Sequence, residues 1–473
     1  MSRARRPPSG PTVASARRSR SKRPLRKVAV CVLSWNGRRH LETCLAALRA
    51  QRAPGVDWEV LLLDNGSDDG TADWVRREHS WVRLIESPVN TGFCAGNNLL
   101  VSKAEADAVA FLNNDTRPAE GWLAALVAAL KRAPDDVAAV SGRILDWEGR
   151  RLDFGRGVMT FDGHAFQLDF GRPLGRARVP EDEEELFFPC GGNMLVRKDS
   201  FEAAGGFDEA YFAYLEDVDL GWRLWAGGER VLYADAAEVR HRSAATSDLL
   251  GLFHRGFLFE RNAYLTVYKN YEAGLWERVM PAVLLTLTCR TQTLLVQNNP
   301  GAGTFTLNPY AGLIANTPRP GEEEDAEIAP ASPPARPPRS GPRTLAEKWR
   351  AYGTRDLVRR GLAKAWRLLR RHRPEPPRVT DERTVAQLRA ITWLLANLDG
   401  SAAERQAVQR RRKRSDAEIF RRFPLYLVPT YPGDERLFAS AGFRAWLPDD
   451  LPLERATLEE VIAWPAGEDE DAR

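Results

Sequence analysis

Cysteine is scarce in this 473-residue chain. Cys31, Cys44, Cys94, Cys190 and Cys289 stand far apart, their number is odd, and none belongs to a C-x-x-C pair. That pattern argues against a disulfide framework and a structural zinc site, and it fits a reducing compartment better. An excess of one charge is also missing. The 68 Lys+Arg against 64 Asp+Glu leave a net charge of +4, too small to indicate a nucleic-acid partner. No stretch reaches the roughly 18 continuous apolar residues of a membrane span. The longest approach, Met280–Cys289, contains Pro281 and stops at Arg290, so it reads as a core helix. The N-terminus is basic without an apolar h-region, so no secretory signal is expected.

What is present is globular: 43% hydrophobic and 28% charged residues exclude a wholly disordered or fibrous chain, and the length implies two or three units. Residues 1–27 hold ten Lys/Arg and no acid, and read as a disordered basic arm or solvated tail. From Val28 short apolar runs alternate with helical spacing. Strands are expected at Val28–Leu33, Val60–Leu63, Val82–Ile85, Ala108–Leu112 and Val137–Ser141. Helices are expected at Leu41–Leu48, Thr71–Arg77, Gly96–Ala104 and Trp122–Leu130. Strands apolar throughout imply a mostly parallel sheet covered on both faces, an α/β fold of Rossmann kind. Residues 146–189 read as a long loop or hairpin insertion, and 246–300 as a helical segment packed on the 28–245 domain. Residues 318–342 carry eight prolines and the acidic run Glu322–Asp325, which makes 301–343 a linker. Residues 344–473 form a basic, helical extension whose tail after 400 gives no assignable element.

The first strand is followed by Ser34-Trp35-Asn36-Gly37, not by G-x-G-x-x-G or a P-loop. The dehydrogenase and kinase fingerprints are therefore absent. A nucleotide would instead be held by carboxylates and loops at the strand ends. Four segments carry candidate chemistry, two of them at strand ends. Asp64-Asn65-Gly66-Ser67-Asp68-Asp69-Gly70-Thr71 follows the second strand. Read alone it is equally a turn with a helix cap. Asn90-Thr91-Gly92-Phe93-Cys94-Ala95-Gly96-Asn97-Asn98 has small residues that allow close backbone approach. Asn113-Asn114-Asp115 ends the fourth strand, where Asp115 is either an Asx turn or a ligand for a hard divalent cation. The fourth, Phe207–Arg223, interleaves Glu216, Asp217 and Asp219 with Phe212, Tyr214, Val218, Leu220 and Trp222. Acids set among aromatics are partly buried, which is where a general base is tuned. His241 follows a strand-like stretch; a lone histidine is more often structural than a ligand.

Taken in order, these segments together with Gly191-Gly192-Asn193-Met194 and Gly205-Gly206-Phe207-Asp208-Glu209 resemble the family 2 glycosyltransferases of GT-A fold, especially the bacterial rhamnosyltransferase-like branch. The resemblance covers residues 28–245. It implies transfer of a sugar, with inversion, from a nucleotide-diphosphate-sugar donor to a glycan or lipid-linked acceptor in cell-surface polysaccharide synthesis. It implies Asp217 as the base, with Glu216 holding the acceptor or orienting that base. Ser34, Asn36, Asp64, Asn65, Asn90, Asn97, Asn114, Asp115, Gly191, Gly192 and Asn193 would meet the donor, Asp64 at the nucleobase. Asp115 matches the last acid of the family's D-x-D motif, with His241 sharing a divalent cation, Mg²⁺ or Mn²⁺. Asn113 departs from the motif by standing where its first acid is often found.

Two competing readings stay open: a sugar nucleotidyltransferase, which usually brings a Gly-rich phosphate loop and lysine after the first strand, and a non-catalytic sugar-nucleotide-binding scaffold, against which Glu216-Asp217 speaks. Beyond the resemblance, Leu345, Trp349 and Tyr352, then Val358, Leu362, Trp366 and Leu369, recur at helical spacing among basic residues. This is either a helix packed on the protein's own core or an amphipathic one lying on an anionic membrane surface, aided by Arg410–Arg414. The second reading predicts a cytoplasmic protein, peripheral on the inner face of the plasma membrane. No nucleic-acid partner is expected.

Overall fold

The computed structural model describes residues 24–242, 251–298, 381–431 and 433–463. Residues 1–23, the Pro-rich stretch and the basic stretch 344–373 lie outside the described residues.

Apolar strands and amphipathic helices alternate from Lys27. The strands are Lys27–Ser34 (β1), Asp57–Asn65 (β2), Arg83–Ser87 (β3) and Ala108–Asn113 (β4), separated by helices Arg38–Arg49 (α1), Thr71–Glu78 (α2) and Gly92–Lys103 (α3). In α1 the buried residues are Leu41, Cys44, Leu45 and Leu48, one apolar face at helical spacing. There follow Thr116–Pro118 (β5), helix Trp122–Arg132 (α4), and strands Val137–Asp146 (β6), Leu152–Phe154 (β7), Gly157–Met159 (β8), Ala165–Gln167 (β9) and Asn193–Arg197 (β10). Helices Lys198–Ala204 (α5) and Glu216–Ala226 (α6) and strand Arg230–His241 (β11) complete the unit.

The sheet runs β3-β2-β1-β4-β10-β6-β11-β5, with β7 pairing β6. β1, β2, β3 and β4 pair in parallel, as do β6 and β11. β10 is antiparallel to both its neighbours and joins the two parallel blocks. A uniform α/β alternation did not anticipate it, because Asn193–Arg197 follows an irregular insertion rather than a helix. Part of that insertion is a hairpin, β8 with β9.

Helices Gly251–Asn270 (α7) and Ala273–Asn298 (α8) follow and pack into the hydrophobic core of that unit, with Phe259 of α7 reaching a cavity at the carboxyl edge of the sheet. The described part of the C-terminal extension joins the same hydrophobic core through Ala390, Ile419, Phe420, Phe438 and Phe443. Buried charges tie it down. Arg290 on α8 bridges Asp162 of the insertion and Asp434, each at 2.8 Å. His164 stands 3.2 Å from Glu260 on α7, which also accepts from the Tyr431 hydroxyl at 2.5 Å. The basic run Arg410–Arg414 is partly engaged with the protein. Arg411 donates to the Ala204 carbonyl, Arg412 pairs with Asp416 at 2.8 Å, and Arg414 donates to the Trp225, Gly228 and Glu229 carbonyls. Arg414 thus caps the carboxyl end of α6, where cations are favoured. Arg412 and Arg414 are thus partly taken up by the protein itself, while Arg410, Arg411 and Lys413 stay exposed.

Candidate active site

Parallel pairing brings the motifs to one edge. Ser34 pairs with Asp64, and Leu33 with Asn113, so the carboxyl ends of β1, β2 and β4 are level. β11 delivers His241 to the same edge, opposite Thr116 of β5. A cavity of about 560 Å³ opens there, lined among others by Trp35, Asn90, Asn97, Asn113, Asn114, Asp115, Gly191, Gly192, Glu216, Asp217 and His241.

Glu216 and Asp217 occupy the first turn of α6, where the helix dipole favours negative charge. Asp217 Oδ2 accepts the Gly191 N–H at 3.0 Å, and Oδ1 accepts the Val218 N–H at 2.8 Å. Burial raises its pKa against the pull of those main-chain donors. Glu216 is 7% exposed, and among the described residues its Oε2 finds no hydrogen-bond partner. Burial, then the adjacent Asp217 charge, push its pKa up to about 8. Burial thus favours the protonated form of both carboxyls, and Glu216 also feels the Asp217 charge, so the two titrate as a pair. Asp219, third in the run, is different again. It is fully buried, 2.7 Å from Arg223 and 2.9 Å from Lys269. Burial opposes its charge, but those cations hold its pKa to about 2. It is a structural anion.

Across the cavity, His241 Nε2 stands 3.2 Å from Asp115 Oδ1, and Nδ1 stands 2.9 Å from Asp153 Oδ2. Burial disfavours the imidazolium, but Asp153 and the hydrogen bonds to both carboxylates outweigh it and raise the pKa to about 10. Burial likewise opposes ionisation of Asp115, yet His241 holds its pKa below the usual carboxylate value. Two ligands at right angles on a cation at about 2.1 Å lie about 3 Å apart, so the Asp115–His241 spacing fits adjacent ligands of one hard ion. The Asp153 carboxylate behind the ring is the usual second partner of a metal-binding histidine. Among the described residues no group of three or more His, Cys, Asp and Glu side chains could hold a metal ion alone. The remaining ligands would have to come from diphosphate and water, as is common for Mg²⁺. Asp153 had no signal in the sequence beyond being one acid in an acidic insertion.

The remaining motif residues divide. Asn65 is fully buried and stitches loops, donating to Asn90 Oδ1 at 3.0 Å and accepting from the Thr91 N–H at 3.0 Å. Ser34 Oγ accepts from Asn114 Nδ2 at 3.0 Å, also out of solvent. Asn36 Oδ1 accepts the Asp68 N–H at 2.9 Å, joining the loops after β1 and β2. Asp64 accepts the Ser67 N–H at 3.2 Å, and burial raises its pKa. None of these four lines the cavity. Asn97 lines it, with Nδ2 donating to the Phe93 carbonyl at 3.0 Å. Gly92 has φ +81°, and a Cβ there would stand 2.3 Å from the Phe212 ring, so only glycine fits between donor loop and dyad loop. Asn193 departs from the donor-contact expectation. It is fully buried, accepts Trp122 Nε1–H at 2.8 Å, and donates to the Arg143 and Ala237 carbonyls. Its side chain fastens β10 to α4, β6 and β11, while Gly191 and Gly192 before it reach the cavity.

Two adjacent carboxyls on α6 thus share one cavity with a carboxylate–imidazole pair at the carboxyl edge of an α/β sheet. The family description "Glycosyl transferase family 2" matches residues 29–205, a span that stops short of the dyad. The chain is 32% identical over 235 residues to an N-acetylglucosaminyl-diphospho-decaprenol L-rhamnosyltransferase of Mycobacterium tuberculosis, covering 46% of this chain and 76% of that one. It is 31% identical over 238 residues to a pre-mycofactocin glycosyltransferase of the same organism, covering 50% of this chain and 44% of that one. Among solved structures, GalNAc-T7 with UDP, GalNAc and Mn²⁺ aligns with a TM-score of 0.43 and 13% identity, over 57% of this chain and 51% of that one. The chain belongs to glycosyltransferase family 2, in its rhamnosyltransferase-like branch, and it is a glycosyltransferase.

Proposed function

We propose that this enzyme moves a sugar from a nucleoside-diphosphate sugar to a hydroxyl of a glycan or lipid-linked acceptor in cell-surface polysaccharide synthesis, with inversion at the anomeric carbon. One observation carries the reading: the Glu216–Asp217 dyad and the Asp115–His241 pair line a single cavity. Asp217 takes the acceptor proton as that oxygen bonds to the anomeric carbon and the bond to the diphosphate breaks. Glu216, protonated, donates a hydrogen bond to the acceptor and leaves the negative charge to Asp217. Asp115 and His241 would hold a divalent cation, which supplies charge stabilisation for the departing diphosphate. Gly191 and Gly192 offer a side-chain-free wall for the donor sugar, and the nucleobase is assigned to Asp64, which stands at the end of β2 outside the cavity's own lining, on the family resemblance.

The cavity lining also includes the apolar side chains of Phe166, Phe170, Phe259 and Ile462, which we assign to the acceptor. The rhamnosyltransferase relative is named for a decaprenol-diphosphate-linked N-acetylglucosamine. We infer a lipid-linked acceptor for this chain too, met at the inner face of the membrane. Among the described residues no helix is long and apolar enough to cross a membrane, so the attachment we infer is peripheral, through the basic residues of 344–373. The test is nucleoside diphosphate release from a panel of UDP-, dTDP- and GDP-sugars with Mg²⁺ or Mn²⁺. The reading predicts release from at least one donor. Absence of binding and of hydrolysis across the panel would refute it.

A further inference from the structure

The dyad is delivered by a contorted piece of backbone. Phe212 has φ 62° and ψ −61°, and the Ala213 N–H donates to the Tyr211 carbonyl at 2.7 Å, which makes a γ-turn of the rarer, strained hand. Tyr214 and Leu215 follow at φ 72° and 63°, also in the left-handed region. Three side-chain-bearing residues in this state immediately before Glu216 cost energy and persist only where the surroundings over-determine them.

The surroundings that do so lie on α7. Asn262 is fully buried, and its Nδ2 donates to the carbonyls of Tyr211, Ala213 and Tyr214 at 3.1, 2.8 and 2.7 Å. Two amide protons are shared among three carbonyl oxygens, so each acceptor fixes the others. The three acceptors also dictate which end of the amide faces them. Its Oδ1 accepts from Arg261 Nε at 2.9 Å, and Arg261 Nη2 donates to the Tyr211 carbonyl at 2.7 Å. The turn's remaining carbonyl, that of Phe212, accepts the Phe93 and Cys94 N–H groups at 2.7 and 3.1 Å. The same loop therefore meets α3 on the donor side and α7 on the other.

We propose that Asn262 is the positioning residue of the reaction: its amide locks the strained 211–215 turn and thereby sets the aim of Asp217 into the cavity. The inference rests on Asp217 being the base. It concerns a helix outside the matched residues 29–205. Removing the clamp lets the turn relax toward ordinary backbone angles, and α6 begins from a different place. A reacting group displaced by about 1 Å costs on the order of 10²-fold in rate.

The test compares full-length Asn262→Ala with Gln409→Ala. Gln409 Nε2 also donates to three carbonyls, those of Lys269, Asn270 and Tyr271, at the far end of the same helix. Each variant is followed by nucleoside diphosphate release from the UDP-, dTDP- or GDP-sugar the wild type uses, by thermal melting, and by amide hydrogen exchange. Asn262→Ala is expected to lower kcat roughly 10–100-fold with donor KM within about threefold, and to speed exchange in 211–217 about tenfold or more. Gln409→Ala is expected to lower the melting temperature and leave kcat and that exchange unchanged. Unchanged exchange in 211–217 for Asn262→Ala, or an equal loss of kcat in both variants, overturns the proposal. If Asn262→Ala does not fold, Asn262→Ser, which cannot reach three acceptors, is read by the same criteria. Asp217→Asn separates the two assignments. Full activity in it defeats the base assignment, whereas an inactive Asp217→Asn beside a normal Asn262→Ala defeats only the clamp.

Discussion

Two adjacent carboxyl groups that look alike in sequence should respond oppositely to the same isosteric change. Asp217→Asn removes the proton acceptor and keeps its shape. A general base contributes roughly 10²–10⁴-fold, or about 3–5.5 kcal/mol of barrier. Glu216→Gln should be mild. With its pKa pushed to about 8 by burial and by Asp217, Glu216 is protonated at pH 7, and a glutamine reproduces that neutral donor. We expect a loss of no more than about threefold, set by the small difference between a carboxylic acid and an amide as hydrogen-bond donors. The groups that face Glu216 electrostatically are Asp217, Asp219 and the thiols of Cys94 and Cys190. Burial raises both thiols well above their usual value and Asp219 is held low, so the coupled Glu216–Asp217 pair is what remains to titrate. Wild-type kcat/KM should therefore show a step near pH 8 that Glu216→Gln abolishes. Stability carries the same signature. The folded pKa lies above the unfolded one, so the proton's contribution is full below about pH 4.5 and is lost as pH rises through 8. In that window the slope is at most about 1.4 kcal/mol per pH unit. The melting temperature of the wild type should fall more steeply with pH than that of Glu216→Gln. The assay is nucleoside diphosphate release from pH 5 to 9 beside thermal melts in the same buffers. Equal damage from both substitutions, or a step near pH 8 that survives in Glu216→Gln, would refute the division of roles.

Asp115→Ala should weaken nucleoside diphosphate binding chiefly when Mn²⁺ is present, with His241→Ala milder. Calorimetry with and without EDTA checks this, and binding that ignores EDTA in the wild type would remove the metal assignment from both residues. Asn193→Ala should leave donor binding unchanged and lower stability by about 1–3 kcal/mol, because it strands the buried Trp122 N–H; a lowered melting point with normal donor KM is the expected result. Replacing Arg359, Arg360, Arg370 and Arg371 by glutamine should reduce co-sedimentation with anionic liposomes and leave neutral ones unaffected, by about 1 kcal/mol per residue lost. Substitution is the better probe than truncation near residue 317, since Asp434 and Phe420 belong to the folded core.

The sequence made the parallel blocks legible because their strands are apolar throughout and their helices keep one buried face. It did not reveal β10, whose antiparallel course is set by partners far along the chain. For the site, carboxylates at strand ends and acids among aromatics led to Asp115, Glu216 and Asp217. The side-chain partners of Asn65 and Asn193 were not legible for a common reason: an asparagine at a strand end can face a ligand or knit backbone, and only the positions of distant partner groups decide. Asp153 and Asn262 were invisible. Asp153 acts on a residue 88 positions away and Asn262 on one 48 positions away, and no local pattern encodes such a partnership.

The most direct test is a crystal structure of the full chain with a nucleoside-diphosphate sugar and Mn²⁺. The account predicts an anomalous peak between Asp115 and His241, the diphosphate bound to it, the sugar against Gly191–Gly192, and Asp217 facing the anomeric carbon from the side opposite the leaving group. A nucleotide bound elsewhere, or an anomeric carbon out of line with Asp217, would contradict it.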